Sequence, residues 1–284
     1  MSESSGYKAD SSGDVNEKSP TKRDAFTELM STKSKQRKPT TTSTSTSSSK
    51  AQTTSSKRRA IGGPRDGLGA YIANPTSFPA STVIYHTPDF VAIRDAFPKS
   101  TCHLLLLPRD PTKTRLHPFE AFTDAAFLAR VRSETEKLRA LAASELRRLH
   151  GAYSAQEAER RKALEEDDGA EGAEELPRGR DWAREIMCGI HAHPSMNHLH
   201  VHVISVDRYS ARLKHRKHYN SFSTPFFVPM EDFPLADDDP RRRPDEQGYL
   251  RRDFVCWRCG RDFGNRFAEL KVHLAEEFEA WRRL

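Results

Sequence analysis

Three histidines that alternate with apolar residues restrict the folding of this chain more than any other feature of its sequence. They lie in the run His198-Leu-His200-Val-His202-Val-Ile-Ser205. Side chains two positions apart share one face of a β-strand. The apolar face therefore belongs on a hydrophobic core, and the imidazoles line a surface or a cleft. The run predicts a strand with a row of three imidazoles on its polar side.

Such a row of imidazoles is open to three interpretations. An exposed face that merely happens to use histidine is disfavoured, because this residue type is uncommon at such density. A metal site is the second interpretation, since neutral imidazole is a common ligand of zinc, copper and iron, although no nearby carboxylate completes a ligand set. The third is covalent catalysis at phosphorus, in which one ring nitrogen attacks while the other is held as N–H and neighbouring imidazoles bind the phosphate oxygens.

The composition indicates that only part of the 284 residues is packed into a core. Hydrophobic residues make up 36% of the chain and charged residues 30%, whereas a compact chain is about 45–50% apolar. No apolar run reaches about 18 residues, so we expect no membrane span. Four cysteines, two of them in one tight pair, disfavour a disulfide framework and fit a reducing compartment.

Changes in composition divide the chain into four predicted segments. Residues 1–62 are a basic Ser/Thr-rich tail, which we expect to be disordered because it has too few apolar side chains to offset chain entropy. Residues 63–236 form an α+β domain with an acidic, solvated insertion at about 156–177. Residues 237–248 form a linker, and residues 249–284 form a separate small unit. The basic clusters of the tail, Lys33–Lys38 and Lys57–Arg59, are import signals, loose nucleic-acid contacts or simply solubilising.

The central domain is predicted to contain one antiparallel sheet with helices. Its predicted elements are, in order, a short helix that ends at Pro75, a β-hairpin of Ser81–His86 and Phe90–Asp95, a strand at Cys102–Pro108, a helix from Pro118 to His150, and two last strands at Arg184–Ile190 and His198–Ser205. These assignments rest on apolar periodicity and on the positions of proline.

The C-terminal segment has the spacing of a ββα zinc finger. Cys256 and Cys259 are followed after thirteen residues by His273, which predicts a metal site. Glu277 lies four residues after His273, on the same face of a helix, and is the predicted fourth ligand. Water in the fourth position and the neighbouring Glu276 are the alternatives. A closed set of four ligands indicates a structural ion, so we expect one zinc per chain.

Several of these segments together resemble a known family. His198–Ile204 resembles the signature of the histidine triad (HIT) nucleotide hydrolases and transferases. Ile93–Lys99 and His103–Pro108 are similar to the first half of that domain. The stretches His191–Ser205 and Lys214–Phe222 resemble the aprataxin family in particular, and the Cys-Cys-His-Glu finger resembles its fungal members. The resemblance implies a HIT-like α+β fold followed by the finger.

The resemblance also implies roles for the histidines. His200 is expected to be the nucleophile that forms a covalent AMP–histidine intermediate, which water then hydrolyses. His198 and His202 orient and polarise the phosphate, and His191 is the candidate acid for the departing 5′-phosphate. These four are the expected catalytic residues.

Residues around the triad are expected to bind the adenylate and the DNA. The expected substrate-binding residues are Asp95, which accepts from the ribose hydroxyls, together with Lys99, Ser195, Met196 and Lys217. Expected DNA contacts are Leu68 or Tyr71 against the terminal base pair, and Lys214, His218, Asn220 and Ser221 on the phosphates. Without the resemblance, the sequence indicates only a turn residue at Asp95, a loop residue at Ser195 and a basic surface residue at Lys217.

The function that follows from these inferences is hydrolysis of adenylated DNA. We expect a nuclear enzyme that acts on DNA with a 5′-adenylated nick or end, releases AMP after abortive ligation and so serves single-strand break repair. Two alternatives remain: a HIT hydrolase of small adenylated nucleotides, and a DNA-end binding protein whose triad is inactive or holds a metal.

Overall fold

The computed structural model describes residues 63–166 and 176–284. The predicted tail at 1–62 and the centre of the predicted insertion lie outside the described residues. Arg65–Leu284 form one compact unit. Within the described part of the chain, no helix has the length and apolar character that a membrane span requires.

A six-stranded antiparallel sheet is the centre of this unit. Its strands are β1 (Val83–His86), β2 (Phe90–Arg94), β3 (His103–Pro108), β4 (Ile186–His191), β5 (Val201–Ser205) and β6 (Phe227–Pro229), in the order β1-β2-β3-β5-β4-β6. The predicted α+β class and antiparallel sheet are therefore confirmed. The short edge strand β6, which pairs with β4, is absent from the sequence-based assignment.

Strand β5 is shorter than the sequence pattern predicted. It begins at Val201, so His198 and His200 lie in the irregular segment that leads into it. Only His202 is held in the ladder, opposite Leu105 of β3 and Gly189 of β4. The first two imidazoles are thus placed by the approach of the chain to the sheet and not by strand pairing.

Six α-helices occur in the described residues. They are α1 (Gly69–Ala73), α2 (Pro118–Ala121), α3 (Ala125–His150), α4 (Ala155–Glu166), α5 (Arg216–Ser223) and α6 (Phe267–Arg282). The predicted single helix from Pro118 to His150 is interrupted, because the carboxylate of Asp124 accepts a hydrogen bond from the backbone N–H of Phe127 and starts a new helix there.

The first half of the predicted acidic insertion is helical and mostly exposed to solvent. Residues 155–166 form α4, whose Ala, Glu, Arg and Lys residues favour a helix. Glu157 fixes this helix to the domain, since its buried carboxylate accepts hydrogen bonds from the indole of Trp182 at 2.8 Å and from Arg147 at 2.9 Å.

The hydrophobic core has two layers, one on each face of the sheet. Helix α3 covers one face, where Val131 and Leu138 pack with Leu106 and Val203. The short α1 covers part of the other face. The polar rim between α1 and α5 is where the histidine cluster lies.

The C-terminal finger is not a separate unit as predicted. Its strands β7 (Phe254–Val255) and β8 (Asp262–Gly264) form a small sheet, but Phe278 and Trp281 of α6 belong to the main core. The indole N–H of Trp281 donates to Glu185 at 2.7 Å, and Arg180 donates to the Trp281 carbonyl at 2.8 Å. The predicted domain boundaries at 236 and 249 therefore do not separate two independent cores.

Candidate active site and metal centre

The histidines converge where the ends of β4 and β5 meet. The ring centroids of His191 and His202 are 4.3 Å apart, and those of His200 and His202 are 4.9 Å apart. His198, His200 and His202 are at most 6% exposed. Yet Nε2 of His191, Nδ1 of His198 and Nε2 of His202 have no hydrogen-bond partner among the described residues. Buried polar atoms without partners are costly, so this convergent set indicates a binding site for a polar ligand.

The proton position on His200 is fixed by its neighbour. Nδ1 of His200 lies 2.7 Å from the backbone carbonyl oxygen of His198. A carbonyl can only accept, so Nδ1 carries the proton and Nε2 carries the lone pair. Burial lowers the pKa of His200 from its ordinary value, while the hydrogen bond to His198 opposes this shift. His200 is therefore a neutral imidazole with its lone pair on Nε2.

A chain of hydrogen bonds fixes the opposite tautomer on His202. The backbone N–H of Lys99 donates to Nδ1 of His103 at 3.2 Å, so His103 carries its proton on Nε2. That nitrogen donates to Nδ1 of His202 at 2.9 Å. His202 therefore presents Nε2–H. Burial lowers the pKa of His103 to about 4, which keeps the relay neutral at physiological pH.

Asp95 and Lys99 border the same cluster. Oδ2 of Asp95 is 3.4 Å from Nδ1 of His103, and its Oδ1 accepts from the backbone N–H of Phe97 at 2.7 Å. The ammonium group of Lys99 donates to the Phe97 carbonyl. Burial lowers the pKa of Lys99, although Asp95 opposes that shift. The structure thus brings both predicted substrate-binding residues to the edge of the triad.

The loop before the triad is clamped by the segment that precedes α1. Arg65 donates to the carbonyls of Ser195 at 2.9 Å and Pro194 at 3.2 Å. Its own carbonyl accepts from the backbone N–H of Asn197 at 2.9 Å, and the Asn197 amide donates to Asp66 at 2.9 Å. Ser195 is exposed in this loop, and its contact with substrate stays a prediction.

Helix α1 closes against the triad itself. A Cβ atom on Gly69 would lie 2.9 Å from Cε1 and 3.0 Å from Nε2 of His198. Only glycine leaves room for that ring. Met196 is half-buried against the apolar cluster beneath α1.

The two predicted base-stacking residues differ in their accessibility. Leu68 is 7% exposed and packs with Ile93 and Leu107 in the core. This assignment is corrected, because the side chain is enclosed by apolar neighbours. Tyr71 is half-buried, with its ring centroid 4.4 Å from that of Phe78, and remains the candidate.

The basic segment after the triad contains two exposed lysines and one half-buried histidine. Lys214 and Lys217 are exposed, and His218 is half-buried with Nδ1 accepting from the backbone N–H of Lys214 at 3.2 Å. Burial lowers the pKa of His218 to about 4. The two lysines are therefore the charges of this set that face solvent, whereas His218 is neutral and shapes the segment.

Asn220 is not placed as predicted. It is 1% exposed, and its amide donates to the finger carbonyls of Leu250 at 3.4 Å and Arg252 at 2.7 Å. The expected phosphate contact is corrected, since the side chain joins α5 to the finger. Ser221 beside it is 8% exposed, which also removes it from the accessible surface.

The four predicted metal ligands come together in the finger. One ligand atom from each of Cys256, Cys259, His273 and Glu277 lies within 4.8 Å of all the others. Cys259 Sγ and Glu277 Oε1 are 3.1 and 3.2 Å from His273 Nε2. Tetrahedral zinc with ordinary ligand lengths has donor separations of about 3.5 Å, so the donors fit zinc. The exposed carboxylate of Glu276 instead faces His273 Nδ1 at 3.7 Å.

Comparisons with known proteins agree with both halves of this description. The sequence matches the HIT domain family over residues 79–209 and the C2HE / C2H2 / C2HC zinc-binding finger family over residues 223–280. The aprataxin-like protein of Schizosaccharomyces pombe is 38% identical over 76% of this chain and 82% of its own length. That of Saccharomyces cerevisiae is 38% identical over 76% and 96%. A crystal structure of the aprataxin ortholog Hnt3 in complex with DNA superimposes with a TM-score of 0.59 at 34% identity, over 76% of this chain and 96% of Hnt3.

Fold and site together define a HIT-superfamily hydrolase that carries a zinc-binding finger. Within that class, the chain belongs to the aprataxin-like family. The family resemblance expected from the sequence is thereby confirmed.

Several residues that build this site were not predicted from the sequence. His103 lies in an otherwise apolar strand, and this isolated imidazole was the one feature of the sequence that could have indicated its role. Arg65 and Gly69 gave no local signal, because their partners lie about 130 residues further along the chain.

Proposed function

We propose that this protein is a DNA 5′-adenosine monophosphate hydrolase that removes AMP from abortive ligation ends. The observation that carries the proposal is the proton arrangement of the triad: Nε2 of His200 holds a lone pair, and Nε2 of His202 holds a proton. A nucleophile beside a fixed N–H donor suits attack on a phosphoryl group. The relative Hnt3 binds DNA, and in another structure DNA with guanosine.

The first step transfers AMP to the enzyme. Nε2 of His200 attacks the adenylate phosphorus, a nitrogen–phosphorus bond forms, and the bond from phosphorus to the oxygen of the 5′-phosphate breaks. His202 Nε2–H donates to a phosphate oxygen, and His191 supplies the proton to the departing oxygen. Burial holds the pKa of His191 well below its ordinary value, but the negative charge of a bound adenylate raises the pKa of the rings beside it.

The second step returns the enzyme to its starting state. Water attacks the same phosphorus, the nitrogen–phosphorus bond breaks and AMP leaves, while the proton from water passes to the neighbouring imidazole. Asp95 accepts from the ribose hydroxyls, Ser195 and Met196 border the nucleotide, and Lys99 and Lys217 balance the phosphate charge. His198 orients the phosphate from the side of α1.

DNA is held by the basic surface next to the triad, with Tyr71 against the terminal base pair. Lys214 and Lys217 are exposed on this surface. One structural zinc per chain, held by the two cysteines, His273 and Glu277, stabilises the finger and takes no part in the chemistry. The nucleus is the proposed location, in keeping with the substrate.

Trapping of the covalent intermediate tests this function. Full-length protein is incubated with nicked DNA that carries a labelled 5′-adenylate, quenched in alkali and digested to find the labelled residue. We expect the label on His200 and AMP as the product. The His200→Ala variant is expected to lose AMP release by at least ~100-fold, as for other nucleophile losses, while its DNA affinity stays within about twofold.

Two outcomes would overturn the proposal. Retained turnover in the variant would remove His200 from its role. Turnover of a small adenylate that exceeds turnover of adenylated DNA would favour a hydrolase of small nucleotides. The zinc content measured on the same preparation separates one structural ion from a second ion in the triad.

A further inference from the structure

The two oxygens of the Glu277 carboxylate have different partners. Oε1 lies 3.2 Å from Nε2 of His273, on the side of the other metal-binding atoms. Oε2 lies 2.6 Å from Nη1 of Arg258. The side chain of Glu277 is only 11% exposed and that of Arg258 is 30% exposed. The pair is thus partly shielded from water, where an ion pair is worth more than on an open surface.

The ligand set leaves a charge that this arginine can balance. Two thiolates and one carboxylate around a divalent ion give the site a net charge of −1. If a second histidine replaced the glutamate, the net charge of the site would be zero. Arg258 stands between the two cysteine ligands in the sequence, so the backbone that carries the cysteines also carries the balancing charge. Outer partners of metal ligands commonly set both the orientation and the basicity of the ligand.

We propose that Arg258 is the positioning residue that allows a glutamate to serve as the fourth metal ligand of this finger. It holds Oε2, which leaves Oε1 directed at the ion, and it neutralises the extra negative charge of the Cys-Cys-His-Glu set. Because a guanidinium has fixed fork geometry, a lysine at this position replaces the charge but not the orientation. The inference rests on the proposed role of Glu277 as a ligand.

A double-mutant cycle on zinc affinity tests the proposal. Zinc affinity of the full-length chain is measured by competition with a chromophoric chelator for the wild type, Arg258→Met, Glu277→His and the double variant. We expect Arg258→Met to weaken zinc binding about 10–100-fold, as for other outer-sphere partners. In the Glu277→His background the same change is expected to alter affinity less than about threefold, because an imidazole needs no balancing cation.

Two further variants act as matched controls. Arg261→Met removes a neighbouring finger arginine, whose guanidinium lies 4.9 Å from the centroid of the Phe263 ring, and is expected to leave zinc affinity within about threefold. Arg258→Lys is expected to fall between wild type and Arg258→Met. Absorption of the cobalt-substituted protein reports the ligand field, and we expect it to change in Arg258→Met but not in Arg261→Met.

The outcomes separate failure of this proposal from failure of the ligand assignment. If Glu277→Ala leaves zinc affinity and the cobalt spectrum unchanged, Glu277 is not a ligand and the assignment fails. If Glu277→Ala weakens zinc binding but Arg258→Met does not, the ligand assignment stands and the role of Arg258 is wrong. Tighter zinc binding in Arg258→Met would show that the arginine competes with the ion for the carboxylate, which also overturns the proposal.

Discussion

At the scale of single residues, the site depends on where protons sit. His200 and His202 have the same side chain and lie next to each other, yet Nε2 carries a lone pair in His200 and a proton in His202. A backbone carbonyl sets the first tautomer, and the relay through His103 sets the second. Neighbouring histidines thus offer a lone pair at one position and an N–H donor at the next, through contacts with the backbone at His198 and Lys99.

Loss of the His103 relay is expected to impair catalysis without unfolding the protein. In His103→Leu, Nδ1 of His202 loses its donor, and the ring is free to carry the proton on the wrong nitrogen. We expect kcat on adenylated DNA to fall about 5–150-fold, from the ~1–3 kcal/mol of an unmet buried hydrogen bond. His103→Gln, whose amide can both accept and donate, is expected to recover part of the loss. Equal activity in the two variants would contradict a tautomer relay.

The close approach of Gly69 to His198 gives a second prediction at this scale. In Gly69→Ala the new methyl group overlaps the imidazole of His198, and the buried ring has to move from its position. We expect kcat/KM to fall about tenfold or more, since small misplacements at a reacting centre are costly. The exposed neighbour Ala70 provides the control: Ala70→Ser is expected to leave kcat/KM unchanged. Wild-type kinetics in Gly69→Ala would show that His198 can move without consequence.

At the scale of secondary-structure elements, helix α5 joins the catalytic domain to the finger. Arg216, Tyr219 and Asn220 all donate to backbone carbonyls of the finger. The exposed lysines lie on and just before the same short helix. One element therefore carries exposed positive charge and also joins the two parts of the molecule.

The two roles of this segment can be separated by mutation. Asn220→Ala is expected to lower the free energy of unfolding by about 1–3 kcal/mol, because the Leu250 carbonyl loses its side-chain donor and the Arg252 carbonyl keeps only that of Arg216. In the folded variant the salt dependence of DNA binding is expected to stay as in wild type. Lys214→Ala is expected to do the reverse, with unchanged stability and a decrease of the salt slope by about one. Chemical denaturation and titrations at several salt concentrations measure both quantities. Because an uncharged amide does not contribute to the salt slope, a loss of DNA affinity in folded Asn220→Ala would restore its role as a DNA contact.

At the scale of the whole molecule, the catalytic domain and finger share a core. His150 at the end of α3 packs edge-on against Phe278 and Trp281 of α6, and both of its ring nitrogens are buried without a partner among the described residues. Such a ring is stable only in its neutral form. Burial accordingly lowers the pKa of His150, and in the active site it lowers that of His103 to about 4.

These buried imidazoles predict a loss of stability in acid. In the folded state they stay neutral, while in the unfolded state they take up protons near pH ~6.5. The unfolded state therefore binds more protons below that pH, so stability is fully present above pH ~6.5 and falls as the pH decreases toward about 4. Urea denaturation across this range with excess zinc measures the slope. His150→Phe is expected to give a shallower slope than wild type, and an unchanged slope would show that His150 does not contribute.

Local sequence patterns were sufficient for much of this description. The alternation of histidines with apolar residues placed the triad on a polar face next to a core strand, and the Cys-x-x-Cys pair with His273 and Glu277 located the metal centre. Both patterns work because their members lie close together in the chain, although only His202 belongs to β5, and His273 and Glu277 share one face of α6.

The assignments that local patterns missed or misplaced depend on distant partners. The polar side chain of Asn220 suits a phosphate contact, and the apolar side chain of Leu68 suits stacking on a base pair. Only the packing of α5 and α1 shows that both side chains are buried. The attachment of α4 to the domain likewise depends on the partners of Glu157 in other elements.

The sequence by itself determined the kinds of atoms available for chemistry: imidazoles for phosphorus, thiolates with imidazole and carboxylate for zinc, and lysines for phosphates. The tertiary structure alone decided which nitrogen of each imidazole carries the proton and that the finger shares its core with the catalytic domain. The reason is physical, because a tautomer is set by the hydrogen bond on the other ring nitrogen, and the partner of His202 lies 99 positions away in the chain.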